Sequence, residues 1–247
     1  TFRHYIDPAS LSLVMPIVLY GLRPTADDAA KEKACRVAAS LGAMVQSEET
    51  LRPHLPALLE ALLVPLRDVL PELRAIAAKV CRALGERFPA TVGRALLDRL
   101  RALLESEAAQ STERAGAAQA FAEVTAVLPS EDQTAVIAAA IELTRDAREH
   151  VRESYLSALV YLPMVFGDAF EPYVFDAVDR AAESIGHARE RLRNLAIKAL
   201  KVIIQQFVDR RTALIVEPLF AGAVGPQPAR RRAALVLLGD VIEALHA

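Results

Sequence analysis

Apolar residues recur along this chain at helical spacing, and nowhere do they alternate over a stretch long enough for a strand. Leu11, Leu13, Val14, Ile17, Val18 and Leu22 open the pattern. Asp7 precedes it as a helix N-cap, with Pro8 at the first helical position. Arg23-Pro-Thr-Ala-Asp27 reads as a turn, and a second helix is predicted to about Val45. The same alternation of helix, short turn and helix continues to the end. Near residue 190 the two faces separate clearly. Leu192, Leu195, Ala199, Ile203 and Phe207 share one stripe, and Arg191, Asn194, Lys198, Lys201 and Gln205 share another. The apolar stripe, Leu195 included, is expected to stack on its neighbours, and the basic stripe to face solvent or a ligand.

A landmark of basic residue, alanines and Leu-Gly recurs in the second helices, complete at Lys31 and Arg74 and looser in later units. It stands at Lys31, Arg74, Arg114, Arg152, Arg193 and Arg231, with steps of 43, 40, 38, 41 and 38 residues. Two helices repeating every roughly 40–47 residues are the signature of HEAT or armadillo arrays. The expected fold is therefore all-α, a right-handed HEAT-repeat α-solenoid of about six helix pairs. Residues 1–247 read as one continuous array with repeats near 8–45, 50–87, 90–128, 130–166, 168–207 and 209–246. Proline recurs in the first helix of several units, at Pro16, Pro56, Pro172 and Pro218, where a kink is expected. The chain begins in mid-pattern and ends on an apolar helix without a polar cap, so it is expected to be a piece of a longer array.

Composition adds little, but charge distribution adds something. Hydrophobic residues make up 53% and aromatics 5%, without Trp, so Ala and Leu fill the core and favour helix. The net charge of −2 names no partner. Residues 180–247, however, carry 11 Lys and Arg against 6 Asp and Glu, which makes this end the better match for an acidic surface. Cys35 and Cys81 lie in Ala-rich helices and read as buried free thiols, with a disulfide or a reactive thiol as alternatives. No uncharged run approaches 18 residues and no signal peptide is visible, so no membrane contact is expected.

Catalytic chemistry finds no foothold. The five histidines do not pair at metal-ligand spacing, and no phosphate-cradling glycine loop or nucleophile elbow occurs. His150 and Ser154 lie one turn apart without an orienting acid. A base-flipping enzyme on a helical solenoid would need convergent aromatics, and only Tyr155 and Tyr161 fall in predicted second helices. The chain is expected to be neither an enzyme nor a DNA-binding protein, with no cofactor and no metal. The recurrent basic residues Arg74, Arg114, Arg152 and Arg193 read as structural staples to the adjoining turn. Arg191, Lys198, Lys201, Arg230, Arg231 and Arg232 exceed what a staple needs and are the candidate partner-binding residues, a solvated face being the alternative. Without interleaved aromatics, phosphate-backbone or acidic-protein contact is the option left to them.

Specific strings add to the repeat. They are His4-Tyr-Ile-Asp-Pro-Ala-Ser-Leu-Ser-Leu-Val-Met-Pro-Ile-Val18, Arg114-Ala-Gly-Ala-Ala-Gln119 and His150-Val-Arg-Glu-Ser-Tyr155. Tyr161-Leu-Pro-Met-Val-Phe-Gly-Asp168, Phe170-Glu-Pro-Tyr-Val174 and Leu237-Leu-Gly-Asp240 follow. In this order they resemble the general-control translational activator family, giant HEAT-repeat proteins that activate the amino-acid-starvation kinase of initiation factor two on stalled ribosomes. The resemblance covers essentially the whole chain and falls in the family's central region, similar to the HEAT portion of elongation factor three. It implies a cytoplasmic, non-catalytic scaffold that meets the ribosome, through protein or ribosomal RNA, and an ABC-type ATPase. It also implies that the kinase binds further toward the family's C-terminus. A generic HEAT adaptor of the transport-receptor or phosphatase-scaffold type is the alternative. Two turns depart from the family pattern: Leu70-Pro71-Glu72 stands where Asp-Pro is usual, and Ile185-Gly-His-Ala-Arg-Glu190 replaces an acidic turn.

Overall fold

Asp7 fixes the first helix as its position predicts: its carboxylate accepts from the Ala9 and Ser10 amides at 3.0 Å each, and α1 runs Pro8–Gly21 behind it. In this computed structural model, which describes residues 5–246, every regular element is helical. Asp27 caps α2 (Asp28–Met44) by accepting from the Ala30 amide at 2.7 Å. A short α3 (Glu48–Leu51) leads into α4 (Leu55–Leu66), and Pro71 starts α5 (Pro71–Arg87). A π-helical turn, Pro89–Gly93, runs into α6 (Arg94–Leu104). A capping box of Gln110 and Glu113 opens α7 (Ser111–Thr125). Then come α8 (Ser130–Leu143), α9 (Glu149–Phe166), a 3₁₀ stretch Gly167–Tyr173, α10 (Val174–Ala182), α11 (Glu190–Val224) and α12 (Pro228–Leu245). Because α11 is two helices joined at Arg211 (φ −135°, ψ 37°), the described residues form six helix pairs. We call the two members of a pair its A and B helices.

Residues 5–104 and 108–133 form one compact unit, and residues 105–107 and 134–246 another. In the first, α2 packs on α5 and α5 on α7, with α1, α4 and α6 each against a B helix. Leu58, Leu62, Leu66, Ala77, Cys81, Leu84, Leu100, Ala117 and Phe121 fill its core. In the second, α11 packs against α9, α10 and α12. Phe170 lies at its centre, 5.7 Å from the ring of Tyr173 and 6.2 Å from that of Phe207. Glu105 joins this unit through its carbonyl, which accepts from His150 Nε2 at 3.1 Å, and through its carboxylate, which accepts from the Tyr155 hydroxyl at 3.1 Å.

Three details differ from the sequence reading. Pro56 starts a helix rather than interrupting one, and Pro172 sits in the 3₁₀ stretch; Pro16 and Pro218 lie inside helices, as do Pro65 and Pro163. Residues 208–212 hold no turn, because Val-Asp-Arg-Arg-Thr lacks the Gly or Pro that would stop a helix, and the backbone only kinks. Leu195 is half-buried; the buried face of the first half of α11 is Leu192, Ala196, Ala199, Leu200, Ile203, Ile204 and Phe207. Both thiols are fully buried and free, and burial pushes each up to about 12, so neither forms a thiolate at neutral pH.

Candidate interaction surface

The recurrent basic residues first serve the turn that precedes their own helix. Arg74 Nη1 donates to the carbonyls of Asp68 (2.8 Å) and Val69 (3.0 Å), six and five residues back. Arg114 Nη1 donates to Ala109 O, and Arg193 Nη1 to His187 O at 3.0 Å. The guanidinium satisfies carbonyls that the turn leaves without helical partners. Arg231 repeats the geometry: its Nη1 donates to Gly225 O at 3.1 Å and Pro226 O at 2.9 Å. It is a staple of its own turn, although its place in a run of three arginines made it a partner-binding candidate. The offset of five to six residues from the turn was the signal for it.

A second set of charges reaches one repeat onward. Lys31 Nζ lies 2.8 Å from Asp68 Oδ2 in the next pair's turn, with the two side chains only 9% and 10% exposed. This pair was not singled out in the sequence, because Lys31 and Asp68 lie 37 residues apart and only the packing of successive pairs brings them together. Arg82 meets Glu123 at 3.1 Å, and Arg94 pairs with Asp132. In the second unit Arg145 pairs with Glu183, Arg180 with Glu142 at 3.0 Å, and Arg189 with Glu149 at 2.7 Å. Two candidates for partner binding belong to this ladder. Arg191 Nε lies 2.5 Å from Glu153, and Lys201 Nζ lies 3.2 Å from Asp240 Oδ2, an ion pair without hydrogen-bond alignment. Arg230 is half-buried, its backbone and Cβ packed so close to Gly186 that a Cβ there would sit 2.8 Å away. Lys198 and Arg232 remain: both are exposed, on the B helices of neighbouring pairs, and neither has an ion-pair partner among the described residues.

Arg152 breaks the staple pattern. Its turn residue Asp146 is held instead by Arg148, whose backbone amide donates to Oδ1 at 2.8 Å and whose Nε does so at 3.0 Å. Arg152 Nη2 points to His187 Nε2 at 3.4 Å, and Arg152 Nε is buried without a hydrogen-bond partner. His187 occupies the place that Asp68 and Asp146 hold in their turns: its Nδ1 accepts from the Arg189 amide at 3.1 Å, as Asp68 Oδ1 accepts from Leu70 at 3.1 Å. A neutral imidazole has one acceptor nitrogen, so Nε2 carries the hydrogen and cannot accept from Arg152. Glu149 lies 3.8 Å from Arg152 Nη2, and a carboxylate at 187 would keep the turn and add a nearer anion that Arg152 can hydrogen-bond, as Asp68 does for Lys31. His187→Asp is therefore expected to stabilise the second unit by about 1 kcal/mol, the net worth of one added hydrogen bond. That raises its melting temperature by about 2–4 °C. Calorimetry of the two proteins checks it, and an equal or lower melting temperature would refute the assignment.

No described helix is long and apolar enough to cross a membrane, and no group of three metal-ligating side chains occurs among the described residues. Residues 1–93 match the family model of the elongation factor 3/GNC1 HEAT repeat. Over 246 residues, 98% of its length, the chain is 28% identical to the eIF-2-alpha kinase activator GCN1 of Saccharomyces cerevisiae. It is 31% identical over 245 residues to the stalled ribosome sensor GCN1 of Homo sapiens, again across 98% of the chain. With the eIF-2-alpha kinase activator GCN1 of Dictyostelium discoideum it shares 30% over 222 residues, 88% of its length. The chain spans 8–9% of the length of these relatives.

Proposed function

The chain belongs to the family of general-control translational activators, and from that premise we propose that it is a non-catalytic scaffold stretch serving activation of the initiation-factor-two alpha kinase in amino-acid starvation. It works in the cytoplasm and presents B-helix surfaces to the ribosome, with an ABC-type ATPase as a further partner. The whole-length similarity to proteins called kinase activator and stalled ribosome sensor supports the reading. The exposed cations Lys198 and Arg232, without an ion-pair partner among the described residues, carry its local part. An ammonium or guanidinium with no protein anion is free to meet a phosphate and release its counterions. Arg191 and Lys201 are each paired with an acid and add no net charge beside them.

The test is Lys198→Glu with Arg232→Glu in the full-length protein, followed by co-sedimentation with ribosomes across a salt series. Association is expected to weaken most at low salt, where screening is least. Two lost phosphate contacts should lower the slope of log affinity against log salt by about 2. Both side chains are exposed, so the fold should change by no more than about 0.5 kcal/mol. Superimposable salt curves would leave these residues as plain surface.

A further inference from the structure

The first half of α11 and the end of α12 enclose a groove of about 440 Å³. Ile204, Val208 and Ala244 give it an apolar floor. Asp209 and Glu243 stand on its rim, both exposed and neither with an ion-pair partner among the described residues. The Lys201–Asp240 pair lines the same groove, so its four charged groups sum to −2. The acids also sit at the wrong ends of their helices. Glu243 lies in the last turn of α12, which has no basic residue, and Asp209 lies just before the break at Arg211. Helix C-termini carry partial negative charge and favour cations. The nearest arginines are occupied elsewhere, Arg210 with Asp168 at 2.8 Å and Arg211 with Glu171. An acidic rim on two helix ends over an apolar floor is a poor arrangement for the chain alone. It suits the aliphatic stem and charged head of a long basic side chain.

We propose that this groove seats a Lys or Arg side chain from an extended basic segment of another protein. The inference goes beyond the proposed phosphate contact and does not depend on it, since it uses acids where that contact uses Lys198 and Arg232. A fluorescein-labelled octapeptide of alternating Gly and Arg serves as the probe, read by fluorescence anisotropy at low salt, with the Gly-Glu octapeptide as its opposite. The Arg peptide is expected to bind and the Glu peptide not. Asp209→Asn with Glu243→Gln should raise the dissociation constant about threefold to tenfold, as losing two solvent-facing ion pairs implies. Ala244→Leu, which leaves the charge intact and fills the floor, should weaken binding as well. Glu86→Gln with Asp98→Asn removes the same charge from exposed positions of the first unit and should change nothing. Circular dichroism of each variant reports whether the helices persist. Absence of Arg-peptide binding, an equal response in the Glu86/Asp98 control, or indifference to Ala244→Leu would each overturn the proposal.

Discussion

Asp68→Ala is expected to destabilise the first unit by about 2–3 kcal/mol, because it takes the nearest anion from the Lys31 ammonium and leaves it, nearly closed off from water, with Asp28 at 3.7 Å. The two side chains are 9% and 10% exposed and 2.8 Å apart. The Asp68 hydrogen bond, followed by its charge, holds the lysine above its usual range against the cost of burial. For the aspartate, burial pushes upward, and the Lys31 hydrogen bond together with the Leu70 amide outweighs it, so the carboxyl sits below its usual range. These directions fix the pH dependence. A lowered acid contributes stability above its unfolded value near 3.8, and the contribution is lost as pH falls through the folded value. A raised lysine contributes below 10.5, and that is lost as pH climbs through its folded value. The pair is thus intact between those limits and fails on either side. Replacing both partners, Lys31→Met with Asp68→Leu, should recover most of the loss. Urea unfolding at neutral pH distinguishes the outcomes: a single variant as stable as the wild type would mean that the pair is solvated in solution.

Gly116→Ala should cost the same unit about 2–3 kcal/mol, although alanine is the better helix former by about 1 kcal/mol. A Cβ at this position of α7 would lie 1.9 Å from the Leu66 carbonyl oxygen at the end of α4, and 2.9 Å from Arg74 Cδ. The first neighbour is backbone and cannot swing aside. The second belongs to the staple that holds the Asp68 and Val69 carbonyls, so the same methyl presses on helix packing and turn together. Gly239→Ala is the counterpart: a Cβ there meets nothing within 4 Å, and the α12 helix should gain up to about 1 kcal/mol. Thermal melts of the two variants should therefore shift in opposite directions. A shift of the same sign would show that α7 stands further from α4 than described.

What could be read from the sequence was local. Asp7 before Pro8, Asp27 at the head of α2, Pro71, and the break before Ser111 are each decided by a few neighbouring residues, and the helices begin there. The missed junction at Arg211 carries none of those signals, and the helix runs on through a kink. The phase of the first half of α11 was only partly legible, because Ala196, Leu200 and Ile204 widen the buried face and push Leu195 to its edge. Side-chain roles depended on packing. Nothing beside Arg191 or Lys201 announces Glu153 or Asp240 as a partner about 40 residues away, since only the stacking of B helices brings them together. Arg231 differs from these, because its distance from its turn matches that of Arg74 and is plain in the sequence.

The crossed pairs between α8 and α10, Glu142 with Arg180 and Arg145 with Glu183, bear on how such a gene can change length. Unequal recombination readily deletes or duplicates one period, and the helical frame would survive it. The electrostatic frame would not. If the fifth pair were removed, α8 would meet the second half of α11, where Glu217 is the one charged residue between 212 and 224. Glu142 would then face an acid or nothing, and Arg145 could find at most one partner. Repeats that resemble one another in outline are thus keyed to their neighbours, and the order of the array is written in its charges.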